Sequence, residues 1–263
     1  MSDKKWYKLV FKQIQPIHIG FGSHGVVNET RIFIPGWTMW GALTKAYNLI
    51  NGNELSQNQK LFENISCFYP NFDKEGNDEN VLFPKFDKGN FYLGNYSEDN
   101  FRAKFVDTFI LTAINPATNT ALDESLHELN IILPSVKANY REDDKDEKQI
   151  YWVGIISLKE DVNIPNEIYI GGDARYGLGL MQFVDKKLLG EDLEGDWRKK
   201  GGYIPVGAIH ELPDKKIELL VETIEPWKNA ELKVKLRENG FYFVPGSCEN
   251  DSFNCFYKGI LKK

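Results

Sequence analysis

The feature that most constrains this chain is a run of four glycines within nine residues, at 171–179, placed between two short apolar segments. The flanking segments, 168–170 and 180–184, have the composition of β-strands, so the sequence predicts strand, glycine loop, strand. Glycine adopts positive φ and carries no side chain, which lets backbone amides approach an anion closely. Two interpretations fit this loop: a phosphate cradle and a tight hairpin turn.

The loop lacks the marks of the common nucleotide-binding loops. Gly172 and Gly177 have the spacing of a P-loop, but Leu178 stands where that loop requires lysine, and no serine or threonine follows to hold magnesium. The dinucleotide-binding pattern also fails, because Gln182 occupies the position of its third glycine. We therefore expect neither nucleotide hydrolysis nor a cofactor.

The N-terminal residues predict a strand followed by a second glycine-rich loop. Residues 6–15 alternate as a strand that turns one face to the core and leaves the face bearing Lys8 and Lys12 available. Residues 16–29 are rich in glycine and read as a loop that brings its backbone close to another group or turns sharply.

A helix is predicted after this loop. Residues 32–34 form a short predicted strand, and Thr38 is the predicted N-cap of a helix that runs to Ile50 with apolar residues at three-and-four spacing. The Asn-Gly pair at 51–52 is a typical helix stop.

The rest of the chain predicts mostly strands and loops. Residues 51–105 carry turn signals between short aromatic runs and indicate loops and small hairpins. Two β-branched runs, 107–114 and 150–158, are predicted to be buried strands, and 186–200 is charged and linker-like. Short strands with few helices indicate an α+β fold with an antiparallel sheet. Further strands are predicted at 217–221, 240–244 and 253–261.

Charge is distributed unevenly along the sequence. The formal net charge is -6, which disfavours a general affinity for nucleic acid, because phosphate contacts depend on lysine and arginine. Residues 1–50 nevertheless carry six basic side chains against two acidic ones. This asymmetry indicates a local RNA contact with protein partners elsewhere, and ordinary charge scatter is the alternative.

Cysteine usage and hydropathy bear on the compartment. Cys67, Cys248 and Cys255 form no CxxC pair and leave one thiol unmatched in any pairing, which is typical of a reduced cytoplasmic protein. Their spacing predicts no metal site. The sequence contains no run of about 18 uncharged apolar residues, and lysines interrupt the N-terminal apolar runs. We expect a cytoplasmic protein without membrane contact.

Two loops and a helix start bring together residue types suited to RNA. Backbone amides and basic groups bind phosphate, and flat rings stack on unpaired bases. For the tryptophans, packing in the core is an equally good interpretation. The predicted RNA-contacting residues are His18, Gly20, Gly22, His24, Arg31, Trp37, Thr38, Trp40, Lys45, Gly172, Arg175, Tyr176, Gly177 and Gly179.

These segments resemble the RAMP (repeat-associated mysterious protein) superfamily of CRISPR-associated proteins. PIHIGFG at 16–22, followed by IPGWTMWGAL at 34–43, is similar to the superfamily's His-Ile-Gly-x-Gly loop and the Ile-Pro-Gly start of its first helix. IYIGGDARYGLGLMQFV at 168–184 resembles its glycine-rich loop, and residues 113–133 resemble the segment that precedes a projecting hairpin. The matches cover about a third of the chain.

The resemblance implies a ferredoxin-like (RRM-type) RAMP core with an antiparallel sheet, the glycine-rich loop and a thumb-like β-hairpin insertion. It implies a core at 1–185, including an insertion at about 51–150, and a β-rich extension at 186–263 that packs on the core. The size and the single glycine loop are most similar to the Cas five group of type III or type VII effector complexes.

The resemblance to that group implies a specific role and specific partners for this chain. The chain is expected to hold the 5′ handle of the guide RNA (crRNA) and to cap a filament of Cas seven-type backbone subunits, with target RNA or DNA contacted indirectly. The Cas seven group is also similar in the 113–133 segment and is an alternative. Trp-Thr-Met-Trp at 37–40 departs from the small polar residues usual there, so local RNA contacts are expected to differ.

Some superfamily relatives cut precursor guide RNA without metal, through a histidine that acts as general acid or base. An imidazole that titrates near neutrality suits this role, so His18 and His24 are the candidate catalytic residues. Metal-dependent cleavage from the hairpin requires a carboxylate, for which Asp107, Asp123 and Glu124 are candidates by position. We predict RNA binding, with endoribonuclease and a purely structural subunit as the alternatives.

Overall fold

The computed structural model describes residues 4–122, 125–141, 148–190, 195–206, 217–225, 233–247 and 253–262. These residues form many short strands and few helices, in mostly antiparallel sheets, as the sequence predicts. The strands are β1 (Lys4–Gln13), β2 (Gly20–His24), β3 (Val27–Thr30), β4 (Tyr69–Asn71), β5 (Pro84–Asp87), β6 (Asn90–Leu93), β7 (Tyr96–Ser97), β8 (Val106–Leu111), β9 (Ile114–Asn115), β10 (Thr120–Ala121), β11 (His127–Ile132), β12 (Tyr151–Lys159), β13 (Glu167–Tyr169), β14 (Leu180–Gly190), β15 (Ile204–Pro205), β16 (Ile217–Glu225), β17 (Lys233–Phe243), β18 (Cys255–Tyr257) and β19 (Ile260–Lys262). The helices are α1 (Gly36–Ile50), α2 (Glu98–Phe105) and α3 (Gly195–Lys200), with 3-10 turns at Asp78–Asn80, Ala138–Tyr140 and Ala174–Tyr176.

A five-stranded antiparallel sheet with the order β13-β14-β1-β12-β4 forms the centre of the molecule. β1 lies in the middle, where Leu9 pairs with Gly154 of β12 and with Lys186 of β14. β12 is buried along its length up to Lys159, which confirms the buried strand predicted at 150–158. β13 and β14 flank the glycine loop, as the strand, loop, strand prediction requires.

The prediction that one face of β1 stays available is wrong, because both of its faces are covered. Lys8 is only 7% exposed, and its Nζ donates a hydrogen bond to Asp78 Oδ1 at 3.1 Å. Gly76, at φ 65°, brings the loop at 73–80 against Val10, where a larger residue would meet the valine side chain.

Residues 20–30 form a β-hairpin rather than the predicted loop. β2 and β3 pair antiparallel, and β3 also pairs parallel with β11, which creates a second sheet with the order β2-β3-β11-β8. The predicted strand at 32–34 is reduced to one bridge between Ile34 and Phe68. The pairing of β3 with β11, a strand much later in the chain, is not visible in the local sequence.

Helix α1 begins earlier than predicted. Its N-cap is Pro35, whose carbonyl accepts from the amides of Thr38 and Met39, so Thr38 lies inside the first turn. Gly36 is required at the start because a Cβ there would collide with the backbone of Gly259. The helix ends at Ile50, as predicted.

The prediction of a buried strand at 107–114 is correct for the strand and wrong for its burial. β8 is an edge strand of the second sheet, paired with β11 along one side, and its central residues are exposed. Phe109 and Ile110 are 37% and 63% exposed. A β-branched run fits a strand in either environment, so composition alone does not distinguish them.

Residues 51–105 contain the predicted small hairpins, as the sheet β5-β6-β7, together with a helix that was not predicted. Ser97 Oγ accepts from the amide of Asn100 at the start of α2, and Glu98 in its first turn pairs with Arg102 one turn later. The Ser-Glu start is a helix signal that was overlooked among the surrounding turn residues.

The C-terminal segments pack into the same core as the N-terminal strand. The rings of Trp6 and Phe256 meet edge to face with centroids 6.0 Å apart, and the buried cluster extends from Trp6 to Leu261. The linker predicted at 186–200 is wrong for the described residues, because 186–190 continue β14 and α3 buries Trp197. Strands β16 to β19 confirm the β-rich tail. No helix among the described residues is both long and apolar enough to cross a membrane.

Candidate nucleic-acid interface

The two glycine-rich segments, distant in sequence, meet in the structure. The carbonyl of Pro16 accepts from the amide of Gly179 at 2.9 Å, and the carbonyl of His18 accepts from the amide of Gly172 at 3.1 Å. The main chain at 16–20 therefore lies against both ends of the glycine loop. The sequence predicted both segments as RNA contacts but did not predict that they form one surface.

Three of the four glycine amides in the loop already donate hydrogen bonds within the chain, which disfavours the phosphate-cradle interpretation for them. The amides of Gly172 and Gly179 are bonded to the 16–18 segment, and that of Gly177 donates to a carbonyl within the loop. The 3-10 turn at Ala174–Tyr176 lies between two left-handed residues, Asp173 at φ 58° and Gly177 at φ 78°. For the amides of 173–175, the described residues supply no acceptor.

Three glycines of the predicted site are not required by the fold. A Cβ on Gly22 would meet nothing within 4 Å, and a Cβ on Gly20 or Gly172 would lie 3.6 Å from the His18 ring, an ordinary contact distance. Gly179, by contrast, packs against the backbone of Ile170 at φ 99°. Close approach of a ligand is a physical reason for glycine at the first three positions.

His18 lies beneath this surface rather than on it. The residue is 7% exposed, and because a carbonyl only accepts, its Nδ1 carries the hydrogen in the 2.7 Å bond to the Asn130 carbonyl. This bond fixes the ring between Gly20 and Gly172. The geometry suits a residue that positions the two glycine segments.

His24 lies at the end of β2 with its side chain 79% exposed. Its Nε2 is 3.9 Å from Glu29 Oε1, which is beyond hydrogen-bond distance. Neither His18 nor His24 has a second acid–base side chain in hydrogen-bond reach among the described residues. The same part of the chain contains no group of three or more potential metal ligands.

Arg31, predicted as an RNA contact, is largely buried and forms an ion pair within the chain. Its Nη1 donates to both carboxylate oxygens of Glu218, at 2.8 and 2.9 Å, and to Tyr203 Oη at 3.0 Å. Burial raises the pKa of Tyr203 well above its usual value, so the phenol stays neutral and donates to Glu218. Arg31 therefore ties the N-terminal part of the chain to the C-terminal part.

The two tryptophans pack against the chain. Trp40 Nε1 donates to a backbone carbonyl at 2.7 Å, and Lys258 Nζ lies 3.7 Å from the centre of the Trp40 ring. Trp37 is half-buried, with its ring centroid 5.0 Å from that of Tyr203, and Thr38 is half-buried beside it. These contacts favour the core-packing interpretation for both rings.

The exposed part of the predicted site is a cleft between α1 and β13. The cleft has a volume of about 740 Å³ and is lined by Lys45 of α1 and Arg175 of the glycine loop. Both side chains are exposed, and neither has a partner among the described residues. Most of the remaining lining is apolar and includes Leu49, Ile50 and Tyr169.

Tyr169 is the residue of this cleft that the sequence reasoning missed. It is 50% exposed, whereas Ile168 and Ile170 on either side are buried. Alternate burial is the normal pattern of a half-buried strand, and the Ile-Tyr-Ile sequence carried that signal. Tyr176, which was predicted, is 48% exposed in the 3-10 turn.

A second exposed surface is the segment from β8 to β11, called here the β8–β11 hairpin (106–132). Its exposed apolar side chains are Phe109, Ile110, Ile114, Leu122 and Leu126, between 37% and 64% exposed. The sequence from 106 to 136 contains four acidic residues and no lysine or arginine. Asp107 pairs with Lys137 at 3.9 Å, and Asp123 and Glu124 lie outside the described residues. The described part of the hairpin thus exposes apolar side chains, in a stretch of sequence without lysine or arginine.

No family model and no curated protein matches this sequence. The structure is similar to a chain of Type III-B Cmr-beta bound to cognate target RNA and AMPPnP, with a TM-score of 0.60 at 13% identity over 95% of this chain and 86% of that one. A chain of Type III-B Cmr-beta bound to cognate target RNA gives a TM-score of 0.51 at 13% identity, over 96% and 85%. These similarities show a shared fold.

Proposed function

We propose that this protein is an RNA-binding subunit of a CRISPR effector ribonucleoprotein. The observation that carries the proposal is the junction of the two glycine-rich segments beside two exposed cations, Lys45 and Arg175, that have no partner in the described part of the chain. The fold adds independent support, because nearly the whole chain is similar to a chain of an RNA-bound Type III-B Cmr-beta structure.

The proposal includes a ferredoxin-like core. Its support is the antiparallel strand order β14-β1-β12-β4, with α1 between β1 and β4 in the chain. Between β12 and β14 the chain has β13 and the glycine loop instead of a second helix. We also propose the division into a core at 1–185 and an extension at 186–263. Strand β14 continues across this boundary to Gly190.

Within the complex we assign this chain to the 5′ handle of the guide RNA, in the manner of the Cas five group, at the end of a Cas seven-type filament. The ribose-phosphate strand lies along the surface of Gly20, Gly22 and Gly172, where no side chain intervenes. Lys45 and Arg175 neutralise its phosphates. A net charge of -6 is compatible with this role because the contact is local.

Neighbouring protein subunits are assigned to the β8–β11 hairpin, as the thumb-like insertion. Its exposed apolar side chains favour contact with protein, and the absence of lysine and arginine from 106 to 136 disfavours contact with phosphate. Contact with target RNA or DNA is then indirect.

The test is the affinity of the full-length protein, alone and within its complex, for guide RNA after Gly172→Leu. Gly172 has no positive φ and room for a Cβ, so the fold should persist while the leucine side chain obstructs the RNA strand. We expect affinity to fall about tenfold, equivalent to the loss of one charged hydrogen bond. Asn90→Leu is the control, because Asn90 is exposed on β6 and lies outside the cleft lining. Unchanged affinity in Gly172→Leu contradicts the proposal.

A further inference from the structure

The cleft between α1 and β13 has a composition that phosphate binding does not explain. Leu49 and Ile50 are 61% and 68% exposed, and the Tyr169 ring is 50% exposed beside them in the lining. A ribose-phosphate chain gains nothing from apolar surface. The exposed apolar lining indicates a ligand that also has a flat apolar part.

The charges at the cleft indicate that the ligand is anionic as well. Lys45 and Arg175 lie in its lining without partners among the described residues, whereas Arg31 is neutralised by Glu218. Two cations against Glu167, the one carboxylate of the lining, leave a net positive charge that favours an incoming anion. Phosphates flanking a planar base combine both properties in one ligand.

The dimensions of the cleft fit this ligand class. Its volume of about 740 Å³ lies within the range of small-molecule sites, which is roughly 300–1,000 Å³. A single nucleotide can therefore enter it. Glu167 also lines the cleft, and a carboxylate only accepts hydrogen bonds, so it suits a base edge that donates them, such as an exocyclic amino group.

We propose that this cleft holds one unstacked base of single-stranded RNA. The base stacks on Tyr169 over Leu49 and Ile50, and its flanking phosphates lie at Lys45 and Arg175. The assignment rests on the proposed function and adds a base-binding residue, Tyr169, to a surface otherwise described by its phosphate contacts.

The test uses fluorescence anisotropy with the full-length protein and two labelled RNAs of equal length and charge, an adenosine oligomer and an abasic ribose-phosphate oligomer. We expect the adenosine oligomer to bind about tenfold more tightly, the usual scale for one base stacked on an aromatic ring. Tyr169→Ala should remove that difference without changing the affinity for the abasic oligomer, and Tyr169→Phe should keep it.

Tyr140→Ala is the matched control, because Tyr140 is 42% exposed and lies outside the cleft lining. It should bind both RNAs like the wild type. If the wild type binds both RNAs equally and Tyr169→Ala changes neither affinity, the proposed base pocket is wrong while the proposed RNA surface is retained. A segment of a partner protein would then be the expected occupant of the cleft. If the wild type binds neither RNA, the proposed function fails together with the pocket.

Discussion

The cleft beside the glycine loop and the β8–β11 hairpin are both exposed and partly apolar, but they differ in charge. The cleft carries Lys45 and Arg175 without partners among the described residues. The hairpin belongs to a stretch of sequence, 106–136, without a lysine or arginine. Apolar exposure alone therefore does not identify a partner, whereas exposure combined with the sign of the local charge separates an RNA surface from a protein surface.

The comparison also shows why counting basic residues in the sequence is not enough. Arg31 and Lys45 both belong to the basic N-terminal part of the chain. The structure neutralises Arg31 through Glu218, and Lys45 is left exposed. The proposed RNA surface contains the exposed cations Lys45 and Arg175, for which the described residues supply no ion-pair partner.

The largest expected effect is on stability and comes from removing the buried ion pair between Arg31 and Glu218. The Arg31 and Glu218 side chains are only 14% and 11% exposed, so Arg31→Met leaves a buried carboxylate without a counter-charge. We expect a loss of about 3 kcal/mol in the free energy of unfolding, measured with denaturant. Arg31→Met combined with Glu218→Leu should recover most of it, and the RNA affinity of the folded variants should not change. If a variant of wild-type stability bound RNA more weakly, Arg31 would have to be assigned to the RNA surface.

Charge reversal in the cleft should have the next largest effect. Lys45→Glu combined with Arg175→Glu should weaken RNA binding about 100-fold and make the affinity less dependent on salt, because two phosphate contacts are lost. The control is Lys85→Glu combined with Lys88→Glu, which changes the net charge equally at two exposed positions outside the cleft. Equal losses in the two double variants would mean that net charge, rather than the cleft, governs RNA binding.

The hairpin should respond in the opposite way. Ile110→Lys places a charge on an exposed apolar surface and should weaken assembly with neighbouring effector subunits about tenfold, measured by co-purification. RNA affinity of the isolated protein should be retained. Leu55→Lys is the control, since Leu55 is 56% exposed and lies outside the hairpin. Intact assembly together with reduced RNA affinity in Ile110→Lys would reverse the two assignments.

The sequence predicted the parts of the fold that local pattern determines. The buried strand at 150–158, the end of α1 and the glycine loop between two strands all follow from residue type and spacing over a few positions. Helix α2 was not predicted, although its N-cap residue, Ser97, is also a signal of the local sequence.

The remaining errors concern partners distant in the chain. Arg31 and Glu218 are 187 residues apart, so nothing near Arg31 indicates that its charge is compensated. The covered face of β1 depends on the 73–80 loop, and the exposure of β8 depends on its place at a sheet edge. Burial and charge compensation are properties of tertiary packing, and a local pattern predicts the element without its surroundings.

RNA binding at the glycine-rich segments and the cleft is tested most simply by ultraviolet crosslinking of guide RNA to the full-length protein, followed by mass spectrometry of the crosslinked peptides. We expect crosslinks within 16–22, 36–50 and 168–180, with Tyr169 or Arg175 among the modified residues. Crosslinks confined to the β8–β11 hairpin, with none at the glycine loop or the cleft, would contradict it.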